Sequence, residues 1–140
     1  MKTISENRKV RFNYNVLETF VSGICLIGSE VKSVRANKIS TNDSYCYFKD
    51  DELFVKNFFI YENKNALEHD PNRDKKLLLK KSELSKLKKK LIKGHSILLT
   101  KVLINEKGLI KCEIVLGLGK KQWDKRNALK EKDLEKNLVI

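Results

Sequence analysis

Two apolar runs, SILLTKVLI from Ser96 and LIKCEIVLG from Leu109, are separated only by Asn105-Glu106-Lys107-Gly108. So short a connection joins antiparallel strands, because a parallel return needs a crossover of about a dozen residues. Gly108 offers the positive φ that such a turn uses. The pattern recurs upstream, where SYCYFKDDELFVKNFFIYEN reads as two β-rich runs around the polar turn Asp50-Asp51-Glu52. VRFNYNVLETFVSGICL opens with alternation at Val10, Phe12 and Tyr14, which predicts a strand or strand pair exposed on one side, with a bend at Gly23. No β-α-β alternation interrupts these runs, so the expected fold is mainly β, a small antiparallel barrel or sandwich.

Helical signals are few. Gly28-Ser29 introduces EVKSVRAN, where Ser29 is the expected cap, Glu30 lies in the first turn, Val31 and Val34 share a face, and Lys32 and Arg35 are exposed. Ser82 and Glu83 open SELSKLKKKLIKG, with Leu84, Leu87 and Leu91 at helical spacing and Gly94 as the stop signal. Residues 63–76 are polar, contain the only proline, Pro71, and are expected to form the longest irregular loop. After Gly119 the apolar pattern fails. The 140 residues therefore divide into one barrel domain over 1–119 and a basic tail over 120–140, expected to be disordered when free.

Charge then narrows the choice of partner. Residues 1–70 hold ten basic and ten acidic side chains, whereas 71–140 hold twenty and eight, so the net +12 arises wholly in the second half. Two clusters carry much of it: Lys86, Lys88, Lys89, Lys90 and Lys93, and then Lys120, Lys121, Lys125, Arg126, Lys130, Lys132 and Lys136. Individual lysines often do no more than solvate a face, but so one-sided an excess favours a polyanion, with nucleic acid ahead of an anionic membrane surface. The N-terminal MKTISENRKVRF lacks the apolar core of a secretory signal, and no stretch approaches the ~18 apolar residues of a membrane span, so a cytoplasmic location is expected. Cys25, Cys46 and Cys112 stand apart in separate runs and suggest neither a disulfide framework nor a zinc site.

Catalytic patterns fail on spacing. GLGKK follows an apolar run like a phosphate loop, but position 114, where the first glycine should stand, is Ile. His69 and His95 lack a second ligand at metal spacing and are read as surface or turn residues. The consecutive acids Asp50, Asp51 and Glu52 fan out from a turn instead of converging as two-metal nuclease chemistry requires. No nucleophile stands beside a base, so no enzyme and no cofactor are expected. Binding chemistry is present instead. Lys120-Lys121-Gln122-Trp123-Asp124-Lys125-Arg126 combines phosphate pairing with a flat stacking surface, the second reading of Trp123 being an anchor that docks the tail on the barrel. Only five of the thirty basic residues are Arg, and Arg8, Arg11 and Arg35 lie in the electrically balanced half. They suggest a second RNA contact, or salt bridges to neighbours such as Glu6 and Glu30.

Four segments, NRKVRFNY, GSEVKSVRANK with NDSY, HDPNRDKKLLL, and GLGKKQWDKRNALKEKD, resemble the SsrA-binding protein (small protein B, SmpB) family in order and spacing over nearly the whole chain. The resemblance implies an OB-like antiparallel barrel with about two to three peripheral helices. It further implies a non-enzymatic protein that grips the tRNA-like domain of tmRNA (SsrA RNA) and accompanies it, with elongation factor Tu, to stalled 70S ribosomes. By matching position, Asn7, Arg8, Glu30, Lys32, Arg35 and Leu78 belong to the tmRNA side, and Arg11, Lys120 and Lys121 are added on charge. Trp123, Asp124, Lys125, Arg126, Lys130 and Lys132 match the tail that enters the small-subunit decoding centre and the empty mRNA channel. Val21 stands where the family commonly has Glu, Trp123 where His or Tyr is usual, and the tail is several residues shorter than usual. The alternative is another OB-type tRNA- or rRNA-binding protein.

Overall fold

The computed structural model describes residues 1–62, 69–91 and 95–119. In chain order the elements are β1 (Lys2–Glu6), α1 (Lys9–Asn13), β2 (Tyr14–Ile24), α2 (Gly28–Arg35), β3 (Ile39–Ser40), β4 (Tyr45–Lys49), β5 (Glu52–Lys56), β6 (Phe59–Ile60), β7 (Lys75–Leu78), α3 (Lys81–Lys90), β8 (His95–Ile104) and β9 (Ile110–Gly119). Seven strands form one antiparallel sheet ordered β1-β8-β4-β5-β7-β2-β9. Because β9 also pairs with β8, the six strands from β8 to β9 close on themselves, leaving β1 as a flap on β8. The mainly β expectation holds. The small β3–β6 pair stands beside the sheet.

Alternation along the strands builds the core. Cys112, Ile114 and Leu116 of β9 point inward at 0–1% exposure and meet Leu53, Val55, Leu77, Ile97 and Leu99. Val34 of α2 and Leu87 of α3 join the same cluster, so both helices dock on the ring through apolar stripes. Burial raises the thiol of Cys46 and pushes that of Cys112 up to about 12, as expected of packing residues.

The Asp50-Asp51 turn is the expected hairpin, and it is the tight kind. Lys49 pairs with Glu52, and both loop residues have positive φ, 51° and 64°. That is the primed geometry matching strand twist, and Asp tolerates it better than bulkier residues. Gly108 has φ 78°, again as the turn requires.

Three expectations need correction. Val10 and Phe12 are not strand residues: Lys9–Asn13 is a single helical turn, and the strand starts at Tyr14. The period was misread because Val10 and Tyr14 are also i, i+4 neighbours, and both pack on Leu98 and Val115 outside the ring. Gly23 is no bend. It lies inside β2 opposite Leu78, whose Cβ would stand 3.2 Å from any Cβ added there, so the glycine serves close approach. The irregular loop ends at Asp74, because Lys75 opens β7.

Replacing Asp50 by Gly relieves a left-handed aspartate at an exposed turn position and leaves the Lys88–Asp51 ion pair in place. The variant is expected to gain about 0.5 kcal/mol, less the entropy glycine adds to the unfolded chain. A urea midpoint below that of the parent would contradict this account of the turn.

Candidate nucleic-acid interface

The site is organised around a buried carboxylate. Glu30 sits in the first turn of α2, 0% exposed, and its Oε1 accepts the Ile27 N–H at 2.9 Å. Ile27, not Ser29, is therefore the N-cap; Glu30 takes over the capping by reaching back. Arg73 meets the same carboxylate with two prongs, Nη2 to Oε1 at 2.5 Å and Nε to Oε2 at 3.3 Å, and Nη2 also donates to the Cys25 carbonyl at 3.2 Å. Burial alone would raise the Glu30 carboxyl, but the Arg73 guanidinium and the Ile27 amide outweigh it and hold the group below the ordinary glutamate range.

Ser29 has a different partner. Its Oγ lies 2.9 Å from His69 Nδ1, and His69 Nε2 lies 2.7 Å from the Ile60 carbonyl. A carbonyl only accepts, so Nε2 carries the proton, and in the neutral ring Nδ1 accepts from the serine hydroxyl. His69 is thus a buried tie between α2 and β6, which corrects its reading as a surface residue; His95 likewise opens β8 and is no turn residue. Asp74 accepts from the Tyr47 hydroxyl of β4 at 2.5 Å, a bond that pushes the tyrosine up to about 12. Residues 69–75 therefore lash α2 to three strands.

On its outer side α2 presents Lys32 and Arg35. Arg35 Nη2 donates to the Gly108 carbonyl in the β8–β9 turn at 3.1 Å, not to Glu30, which Arg73 already holds. Leu78, 49% exposed, lies beside Gly23 on the adjoining sheet surface. Arg35, Leu78, Leu109 and Lys111 line one shallow groove of about 270 Å³, an apolar floor with two cations above it. Such a surface suits the sugar and base faces of RNA below its phosphates.

Not every expected contact joins this groove. Asn7 is 5% exposed, and its Nδ2 donates to the Thr41 and Asn42 carbonyls at 3.0 and 3.3 Å, so its side chain braces the chain between β1 and α1. Glu30 is likewise too buried to touch a ligand and acts through Arg73. Arg8 and Arg11 are exposed but sit at α1, a second place. Lys120, Lys121, Trp123, Asp124, Lys125, Arg126, Lys130 and Lys132 lie outside the described residues, as does Lys93. Of the α3 lysines, Lys86 and Lys90 both pair with Glu18 of β2, and Lys88 with Asp51, so part of that cluster fastens the helix to the sheet. No helix among the described residues is long and apolar enough to cross a membrane.

Sequence reasoning missed Arg73, His69, Tyr47 and Lys75 as the supports of this surface. Arg73 is one of only five arginines, but its partner Glu30 is 43 residues away, a distance no local pattern spans.

The family model of the SmpB protein matches residues 4–139. The SsrA-binding protein of Fervidobacterium nodosum is 39% identical over 99% of this chain and 95% of its own. That of Phocaeicola vulgatus is 45% identical over 91% of this chain and 87% of its own. A solved chain from a tmRNA-SmpB structure, described as "a journey to the center of the bacterial ribosome", superposes with TM-score 0.70 at 40% identity, covering 89% of this chain and 93% of that one.

Glu30→Gln is expected to cost about 2 kcal/mol of folding stability at neutral pH, because a half-exposed Arg73 loses its counter-charge while keeping hydrogen-bond partners. A lowered folded-state value stabilises above the ordinary glutamate range and is lost as pH falls through that lowered value. The parent should therefore lose stability in acid more steeply than the glutamine variant. Parallel acid-unfolding curves would refute the Arg73 assignment.

Proposed function

Because the chain belongs to the SmpB protein family, we propose that it binds tmRNA and acts with it in ribosome rescue. The family match over residues 4–139 carries this reading, since it takes in the ring and the basic segment beyond it together. The surface chemistry supports it. Arg35, Lys32 and Lys111 offer phosphate contacts around an apolar floor at Leu78, the combination a folded tRNA-like domain needs from a protein that reads shape more than sequence.

A division of labour follows. The tRNA-like domain of tmRNA takes the α2 groove, with Arg8 and Arg11 at α1 and Lys120 and Lys121 just beyond β9 extending the contact. Trp123, Asp124, Lys125, Arg126, Lys130 and Lys132 serve the ribosome, entering the decoding centre and the vacant mRNA channel, where rRNA phosphates compensate their ordering cost. Elongation factor Tu completes the delivery complex. Val21, 45% exposed on β2, presents an apolar face to the RNA where a carboxylate would have accepted a hydrogen bond.

Arg35→Ala should weaken binding of a tRNA-like tmRNA fragment by about tenfold and lower the slope of log affinity against log salt by about one, the signature of one lost phosphate contact. An unchanged slope would move Arg35 off the interface. Trp123→Ala, or removal of residues 124–140, should leave tmRNA affinity nearly intact while abolishing tagging on stalled ribosomes; weakened tmRNA binding in either would contradict the division.

A further inference from the structure

Lys75 is a charge the binding surface does not use. It opens β7 with 0% exposure, donates from Nζ to the Phe58 carbonyl at 2.5 Å and to the Pro71 carbonyl at 3.5 Å, and lies 5.4 Å from the centre of the Phe58 ring. Glu30 faces it from α2, and Asp70, Arg73 and Asp74 from its own segment, Asp74 being held in turn by Tyr47 of β4. Burial pulls the ammonium down to about 8, with Glu30 pulling the other way. As a stabiliser of the fold this is a poor choice, because an apolar chain of similar length would fill the space without taking a charge from water. An ammonium does what such a chain cannot: it ties two carbonyls, one before β6 and one in the 71–74 turn, so that the turn carrying Arg73 has a fixed place.

We propose that Lys75 is a positioning residue for RNA binding, its buried ammonium anchoring the turn that keeps Arg73 on Glu30 and thereby holds the Lys32–Arg35 face of α2 in place. This rests on the RNA-binding reading above and extends it to a residue with no contact to the ligand. Stability and affinity should then respond to Lys75 in opposite directions. A lowered folded-state value means the charged form costs stability that is recovered as pH rises through about 8, whereas the anchor weakens over the same interval.

The experiment compares the full-length parent with Lys75→Met, using a transcribed tRNA-like tmRNA fragment as the probe. Dissociation constants and melting temperatures are read between about pH 7 and about pH 9, spanning the Lys75 value of about 8. The parent is expected to lose affinity as pH rises across that interval. Lys75→Met should bind about fivefold more weakly at the lower pH, respond little to pH, and melt no lower than the parent. Parental affinity in the variant, or weakened binding that only tracks a lowered melting temperature, would overturn the proposal. Should the methionine variant fail to fold, the parent decides alone: affinity that is flat or rising over the interval rejects the anchor. A parent that binds no RNA at any pH sinks the functional reading itself, whereas an RNA-binding parent with an indifferent variant sinks only the role of Lys75.

Discussion

Strand β9 is paired along both edges, to β2 on one side and β8 on the other, and the closed sheet depends on that double engagement. Each edge satisfies backbone groups that would otherwise face a neighbouring chain, so closure removes the exposed edges of an open sheet of this size. It also dictates what β9 is made of. Cys112, Ile114 and Leu116 fill the interior, and between them Val115 is buried too, because α1 covers the outer surface there with Val10. Four buried residues in succession, Ile114 to Gly117, are thus the mark of a strand enclosed on both faces, not of a lapse in alternation.

With the ring fixed, the remaining problem is to hang α2 on it. A helix of eight residues is too short to be stable by itself, and its apolar contribution to the core is Val34. Polar ties carry the rest: Glu30 to Arg73, Ser29 to His69, and the Arg35 reach to Gly108. Such ties are directional where apolar contacts are not, and they set the orientation of a helix that carries Lys32 and Arg35 on its exposed side. Their energetic yield is small once desolvation is counted, so their presence speaks for geometry more than for stability.

The parts legible in the sequence are those governed by neighbours in the chain. The Asp50-Asp51 and Asn105–Gly108 turns and the β runs flanking them depend on residues within a few positions and stand where the patterns put them, as do Leu84 and Leu87 of α3, whereas Leu91 is left exposed past the end of that helix at Lys90 and the expected stop, Gly94, lies outside the described residues. Illegible were the places where a distant partner overrode a local rule. Val10 obeyed strand alternation but was claimed by a helical turn packing on Leu98 and Val115. Ser29 obeyed the cap rule but was claimed by His69, forty residues on. Lys75 gave no signal at all, since a lysine ahead of three leucines reads as a strand edge until the Phe58 and Pro71 carbonyls are seen around it. Of the residues expected to touch RNA, Lys32, Arg35 and Leu78 are exposed on or beside α2, whereas Asn7 and Glu30 are buried, Asn7 bracing the chain between β1 and α1 and Glu30 holding Arg73.

Ring closure also sets how far apart the two ends of β2 stand. The last residue of β9, Gly119, is paired with Tyr14 at the start of β2, so the polypeptide leaves the sheet beside α1 with its Arg8 and Arg11. The groove at α2 lies near the opposite end of β2, where Gly23 meets Leu78 and Lys111. Tyr14 and Gly23 are nine residue steps apart along β2, and at about 3.3 Å of rise each these span roughly 30 Å. That distance exceeds the Debye length of about 8 Å at physiological salt several times over. Cations at the exit point and cations at the groove are therefore electrostatically independent, and a ligand on one does not discharge the other. On the proposed division of labour, the five basic residues after Trp123 can thus engage one polyanion while the groove at the far end of the ring holds another.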